Sequence, residues 1–243
     1  MKEESIAKLI KAASEFQGAS NNSRKETEGI YKINEPSDLF TIRASLDGEI
    51  SLISKHFHKK IENPTEKISY KLDLTCSFIR THFVINDLLL TGDIIEAATL
   101  IRKQLEVLTR LIEIDANPLA KLLKKTPNVC NVLNKMGKSL YPELSEIAHS
   151  GTPRVGKLIV QNEKGTDKIG PSIYPVFSPM LYDFYKTHCF VSIVWIYWTI
   201  GFLKEVYSTE YNSEFDEEII DEIFFCALAN GIIIETVDTE TKQ

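Results

Sequence analysis

Between Lys186 and Lys204 the chain runs THCFVSIVWIYWTIGFL, 17 residues without Asp, Glu, Lys or Arg. A membrane span needs about 20 predominantly apolar residues, and this run contains His188, Ser192, two threonines and Gly201. Trp195, Tyr197 and Trp198 stand in its middle, whereas a spanning helix gathers such residues at its two interfaces. A helix that is apolar all round is otherwise the central member of a bundle. The stretch therefore predicts one interior helix with others packed around it, and no membrane partner.

Hydrophobic periodicity supplies the other helices. Leu39, Leu46, Ile50, Ile53 and Phe57 predict a helix from Pro36 to about Lys60, with Asp47-Gly48 weakening its centre. NPTEK opens a second through Leu90, with Ile68, Leu72, Cys76, Ile79 and Phe83 as its core stripe. Asp93 is placed to cap a third, to Asp115, whose stripe is Ala98, Ile101, Leu105, Leu108 and Ile112. NPLAKLLKK and NVCNVLNKMGK read as short helical pieces. SLYPELSEIAHSG reads as another, with Pro142 in its first turn and Gly151 past its end. VGKLIVQNEKGTDKIGPSIYPV places β-branched residues either side of a polar turn at Gly165, and Pro171 and Pro175 limit its second strand to an edge. Ser213 and Asp216 open a last helix that Asn230-Gly231 ends.

The expected fold is mostly α: an antiparallel helical bundle with one small β-hairpin near residues 157–176. Residues 2–17 form an amphipathic helix, and GASNNSRKETEG reads as a linker. Residues 1–34 are then an N-terminal helical arm and linker, 35–236 the bundle domain and 237–243 a polar tail. With 243 residues, 43% of them hydrophobic, the chain can bury a sizeable core.

Four widely spaced cysteines, at 76, 130, 189 and 226, form no C-x-x-C pair and read as buried free thiols. With no secretory signal at the N-terminus, they place the chain in the cytoplasm. The net charge of −6 excludes a general nucleic-acid coat. Glu143-x-x-Glu146-x-x-His149 contains a Glu-x-x-His spacing, but a di-metal site needs a second one and the chain has none. No metal and no cofactor are expected.

Two groups of residues stand out. Arg102, Glu106 and Arg110 are four apart on the third helix and read as a solvated ion-pair row. His149 ends a short helix, where the macrodipole favours it. Around it, residues 117–157 carry seven Lys or Arg, Arg154 and Lys157 among them, against Glu143 and Glu146 only. That local charge of +5 in a chain of net −6 is what an anionic ligand requires.

RKQLEVLTRLIE followed by YPELSEIAHSG resembles a group of bacterial helical proteins at the fringe of the HEPN class. The shared pattern is an Arg-x-x-x-Glu helix and a Tyr-x-x-Leu-Ser-x-x-x-His segment, here Arg102, Glu106, Tyr141, Leu144, Ser145 and His149, within residues 70 to 205. The resemblance implies a helical domain of a class that includes ribonucleases and defence proteins. The ribonuclease signature, Arg followed four to six residues later by His, is absent, since Arg80 and His82 are only two apart.

Two readings follow. The first is a non-catalytic binding or regulatory protein of the bacterial cytoplasm, homo-oligomeric, with a phosphate-bearing small molecule or RNA as ligand. Its candidate contacts are His149, Arg154, Lys157, Arg102, Glu106 and Tyr141. The second is a HEPN-like ribonuclease or nucleotide-processing enzyme, with His149 as general acid or base and Arg102 and Arg154 holding phosphate. It requires Arg102, Glu106 and His149 to converge on one pocket.

Overall fold

The apolar run between Lys186 and Lys204 becomes the interior helix of a bundle. We label the helices in chain order: α1 (Glu3–Asn34), α2 (Ser37–His56), α3 (Glu66–Leu90), α4 (Ile94–Ala116), α5 (Leu119–Leu122) and α6 (Val129–Val132), then α7 (Asn134–Ala148), α8 (Arg154–Leu158), α9 (Leu181–Val206) and α10 (Glu214–Ala229). The structure is a computed structural model and describes residues 3–151, 153–162 and 169–233. The apolar run lies within α9, which packs against α2, α3, α4 and α10. Among the described residues α9 alone is long and apolar enough to cross a membrane, and more than half of its most apolar stretch is buried inside the bundle. Phe78 of α3 lies flat on Trp195 with ring centroids 4.5 Å apart. Such stacking adds to the burial of two large rings.

α3 and α4 are joined only by Thr91, Gly92 and Asp93, which makes them antiparallel neighbours. Gly92 holds φ at 82°, and a Cβ there would come within 2.8 Å of Thr27 Cγ2 and 2.9 Å of the Val176 carbonyl. Backbone freedom and close approach both require glycine at this corner. α7 packs on α4 and α6. Gly137 makes the α6–α7 contact possible, since its Cβ would stand 2.3 Å from the Val129 carbonyl oxygen. The hairpin is short: β1 (Val160–Asn162) pairs antiparallel with β2 (Ile169–Pro171), Gln161 opposite Gly170. The turn expected at Gly165 and the tail at 237–243 lie outside the described residues.

Several local expectations change. GASNNSRKETEG is helix, so α1 runs unbroken for 32 residues. Tertiary contacts outweigh its polar composition. Arg24 holds Asp93 through two hydrogen bonds of 2.9 and 3.0 Å, Ser23 donates to the Pro175 carbonyl, and Thr27 and Tyr31 are buried. Asp93 is therefore the anchor of α1 and makes no side-chain cap on α4. α2 also runs through Asp47-Gly48 without a break. α7 starts at Asn134, which places Pro142 inside the helix instead of in a first turn. Residues 154–158, expected to lead into the hairpin, are helical.

The largest correction concerns α3. Its buried stripe is Lys71, Thr75, Phe78, Thr81, His82, Ile85, Asn86 and Leu89, while Cys76 and Phe83 are exposed. The core face is rotated from the expected one, and five of its eight residues are polar: Lys71, His82 and Asn86 find partners on other helices, Thr81 bonds within α3, and the buried Thr75 hydroxyl has no partner among the described residues. Lys71 is the extreme case, 1% exposed. Its ammonium lies 2.5 Å from Asp115 of α4 and 2.7 Å from Glu205 of α9. Trp198 donates its indole N–H to the same Asp115 at 2.7 Å. A buried charge is tolerable only when paired in this way. All four cysteines are free, and Cys189 alone is buried, its thiol pushed up to about 12 first by that burial.

Candidate functional site

Arg102, Glu106 and Tyr141 meet between α4 and α7. The Tyr141 hydroxyl donates to Glu106 Oε1 at 2.6 Å, and Arg102 Nη2 donates to the same hydroxyl at 3.1 Å. Arg102 Nη2 also lies 2.9 Å from Glu106 Oε1, and its guanidinium sits over the Tyr141 ring, 5.2 Å from the centroid. Burial, then donation to Glu106, raise the Tyr141 phenol above its ordinary range. The expected solvated row is thus a half-buried knot that fastens α7 to α4. Arg110 leaves the row altogether. It is buried, pairs with Glu113 at 3.0 Å, and donates to the Leu122 carbonyl at 3.1 Å and to that of Lys125. This arginine pins the chain that follows α5.

His149 does not join the knot. It is the exposed C-cap of α7, eight residues or about 12 Å of helix beyond Tyr141. After it, Ser150 takes φ 51°; its N–H bonds the Ile147 carbonyl at 3.1 Å and the Gly151 N–H bonds that of Glu146 at 2.9 Å. This is a Schellman ending in which serine occupies the left-handed position. Lys157 is exposed, as are Lys121, Lys124, Lys125 and Lys138. The Arg154 side chain lies outside the described residues, although its backbone opens α8. The structure therefore brings together Arg102, Glu106 and Tyr141, and leaves His149 apart from them at the exposed end of α7.

One constellation has the connectivity of a nucleophile, a base and an acid, drawn from three helices far apart in the chain. His82 Nε2 lies 2.7 Å from Asp47 Oδ1, and His82 Nδ1 lies 3.1 Å from Ser192 Oγ. With the carboxylate accepting from Nε2–H, the other nitrogen accepts from the serine, so the ring is satisfied while neutral. Asn86 donates to the same Asp47 oxygen at 2.7 Å. Arg43, clamped on Glu35 at 3.0 and 3.1 Å, stands 3.7 Å from Asp47 Oδ2. His188 tilts against His82 with centroids 4.5 Å apart, and burial holds its pKa well below the usual histidine range. A hydrolytic triad presents its serine to substrate. Ser192 is 0% exposed and His82 2%. The network ties α2, α3 and α9 together inside the core.

An open groove of about 560 Å³ lies between α3 and α4. Asp73, Cys76, Ser77, Arg80, Thr81 and Val84 line it from α3, Leu100 and Lys103 from α4. The α3 residues recur at three- and four-residue steps, so they share one helical face. The expected core stripe of α3 shares only Cys76 with this face. Arg80 is the notable residue. Five arginines have described side chains, and Arg24, Arg43, Arg102 and Arg110 each hold a carboxylate. Among the described residues Arg80 holds none, and neither does Lys103 across the groove. Ser77 supplies a hydroxyl between them, while Asp73 lies about 10 Å down the helix from Arg80.

Comparison of the chain with protein-family models, with curated proteins and with solved structures found no match to any of them.

Proposed function

We propose that this chain is a non-catalytic binding protein of the bacterial cytoplasm, regulatory in role, whose ligand is a small phosphate-bearing molecule seated in the α3–α4 groove. The observation that carries this reading is Arg80, the one arginine with a described side chain that holds no carboxylate, facing the groove with Lys103. An unpaired guanidinium suits a phosphate because its fork of donors matches two oxygens at once. Val84 and Leu100 give the groove an apolar wall, and its volume suits a mononucleotide-sized ligand. Asp73 favours a ligand that carries hydrogen-bond donors at the end away from the phosphate.

The HEPN-like ribonuclease remains the competing proposal, and no geometry favours it. Its general acid or base, His149, is about two helical turns from Tyr141, which holds Arg102 and Glu106. Titration of the full chain with nucleoside monophosphates and with short RNA, at two salt concentrations, tests both readings. Saturable mononucleotide binding that weakens with salt, and no RNA cleavage, is the expected result. Cleavage of the RNA, or no binding of either at low salt, overturns it.

A further inference from the structure

The first half of α1 presents an apolar stripe that touches the chain's own body only at its root, through Phe16. Ile6, Leu9, Ile10, Ala13 and Phe16 recur at helical spacing, and every residue from 3 to 18 is exposed. Leu9 is 59% exposed, Ile10 65% and Phe16 50%. Further along the same helix, Thr27 and Tyr31 are buried against the chain's own body. One helix is thus seated at its C-terminal half and bare at its N-terminal half, and exposed apolar residues gathered on one face mark an interaction surface.

Charge narrows the occupant. On a helix of 3.6 residues per turn, Glu4, Lys8, Lys11 and Glu15 fall on the side opposite the stripe. Lys11 and Glu15 are 3.8 Å apart there. The flanks are Ser5, Ala12 and Ser14, with Glu3 at the tip. A helix built for an anionic membrane carries Lys or Arg on its polar face in excess. Residues 3–18 have three Glu against two Lys. Small uncharged flanks instead let a second helix approach closely and set no like charges against it. The root of the arm offers the matching apolar end. Phe16 meets the Tyr174 ring at 5.2 Å beside Ile173, which is 75% exposed. A groove of about 280 Å³ opens there, with Phe16, Ile95, Ile173, Tyr174 and Pro175 on its apolar side and the Arg24–Asp93 pair and Glu96 on its polar side.

We infer that two copies of this chain pair through these arms, antiparallel, so that Ile6 and Leu9 of one copy reach Phe16 and Ile173 at the root of the other. The arm from residue 3 to residue 18 is about 24 Å long, which carries its tip back to the partner's root. The pairing is isologous and closes at two copies. A standard interface buries roughly 800 Å² per partner, so the dimer draws on the root contact as well as on the arms.

Light scattering on the full chain during gel filtration, from about 1 to 50 µM, tests this. Twice the chain mass is expected for the parent, and the chain mass for Leu9→Glu/Ile10→Glu, with an unchanged far-ultraviolet circular dichroism spectrum. Lys8→Gln, on the opposite face, keeps the dimer. A monomeric parent overturns the inference, as does a dimer that survives L9E/I10E. A monomer that sediments with phosphatidylglycerol vesicles assigns the stripe to membrane and also overturns it. None of these results depends on whether the α3–α4 groove binds phosphate.

Discussion

His82 is held from both sides, its Nε2 2.7 Å from Asp47 Oδ1 and its Nδ1 3.1 Å from Ser192 Oγ, with 2% of the residue exposed. Removing one member leaves the others buried without partners, which costs more than the bond itself contributes. His82→Ala is expected to destabilise the chain by about 2–4 kcal/mol in denaturant unfolding. Ser192→Ala, which removes a single hydroxyl from one side of the ring, is expected to cost about 1 kcal/mol. Neither changes binding in the groove. Equal costs near zero for both would show that the network does not hold the core.

Two buried groups give stability a pH dependence of opposite signs. Burial, then the neighbouring Asp216 carboxylate, push Glu49 up to about 7 from an ordinary 4.5. A raised carboxyl contributes stability that is full below 4.5 and is lost as pH rises through 7. His188 is held below the ordinary 6.5, so its contribution is present above 6.5 and lost as pH falls. Stability should therefore peak in mildly acidic solution. Glu49→Gln is expected to gain about 1–3 kcal/mol over the parent at pH 8 and to match it at pH 4. Tyr211, which donates to Asp216 at 2.5 Å and meets His56 edge-on, faces the same pair. Melts from pH 4 to 9 decide this, and an unchanged profile in E49Q contradicts it.

The end of α7 offers a stabilising change. Ser150 sits at φ 51°, where a Cβ is unfavourable and glycine is at ease. Ser150→Gly should raise stability by about 0.5–1 kcal/mol. Gly137→Ala, on the same helix, drives a Cβ to 2.3 Å from the Val129 carbonyl oxygen and should cost about 2 kcal/mol or more. Thermal melts of the two variants moving in the same direction would contradict this account of α6 and α7.

The sequence showed those parts of the fold where burial is apolar and periodic. α9 announces itself by 17 uncharged residues, and α4 by Ala98, Ile101, Leu105 and Leu108, all 0% exposed. Asn230-Gly231 ends α10 as expected, with Gly231 at φ 63°. What stayed hidden is burial that is polar. Lys71, Thr75 and Asn86 help define the inner face of α3, and hydropathy assigns such residues to solvent, whereas His82 is legible at the core edge because it shares a stripe with Phe78, Ile85 and Leu89. The same blindness turned GASNNSRKETEG into a linker, because the partner of Arg24 is Asp93, 69 residues away. Of the candidate contacts, helical spacing groups Arg102 with Glu106, and the resemblance to HEPN-fringe proteins adds Tyr141. Arg80 was missed because its interest lies in the absence of a partner, which only packing reveals.

The knot at Tyr141 predicts a modest effect. Its hydroxyl links Arg102 and Glu106 while half-buried. Tyr141→Phe should cost about 1 kcal/mol in unfolding experiments and leave ligand titrations unchanged. Loss of binding in Y141F would move the site from the α3–α4 groove to α4 and α7.

The most direct measurement of the central claim is calorimetric titration of a nucleoside monophosphate into three proteins at low salt: the parent, Arg80→Ala/Lys103→Ala and Lys124→Ala/Lys157→Ala. Both double variants remove two exposed cations, so non-specific attraction falls equally in each. With the seat in the groove, R80A/K103A should lose at least about tenfold in affinity, because it removes two charge-assisted contacts, while K124A/K157A stays within about twofold, as screening of distant charges requires. Equal losses in the two variants, or a larger loss in K124A/K157A, would contradict the assignment of the groove as the binding site.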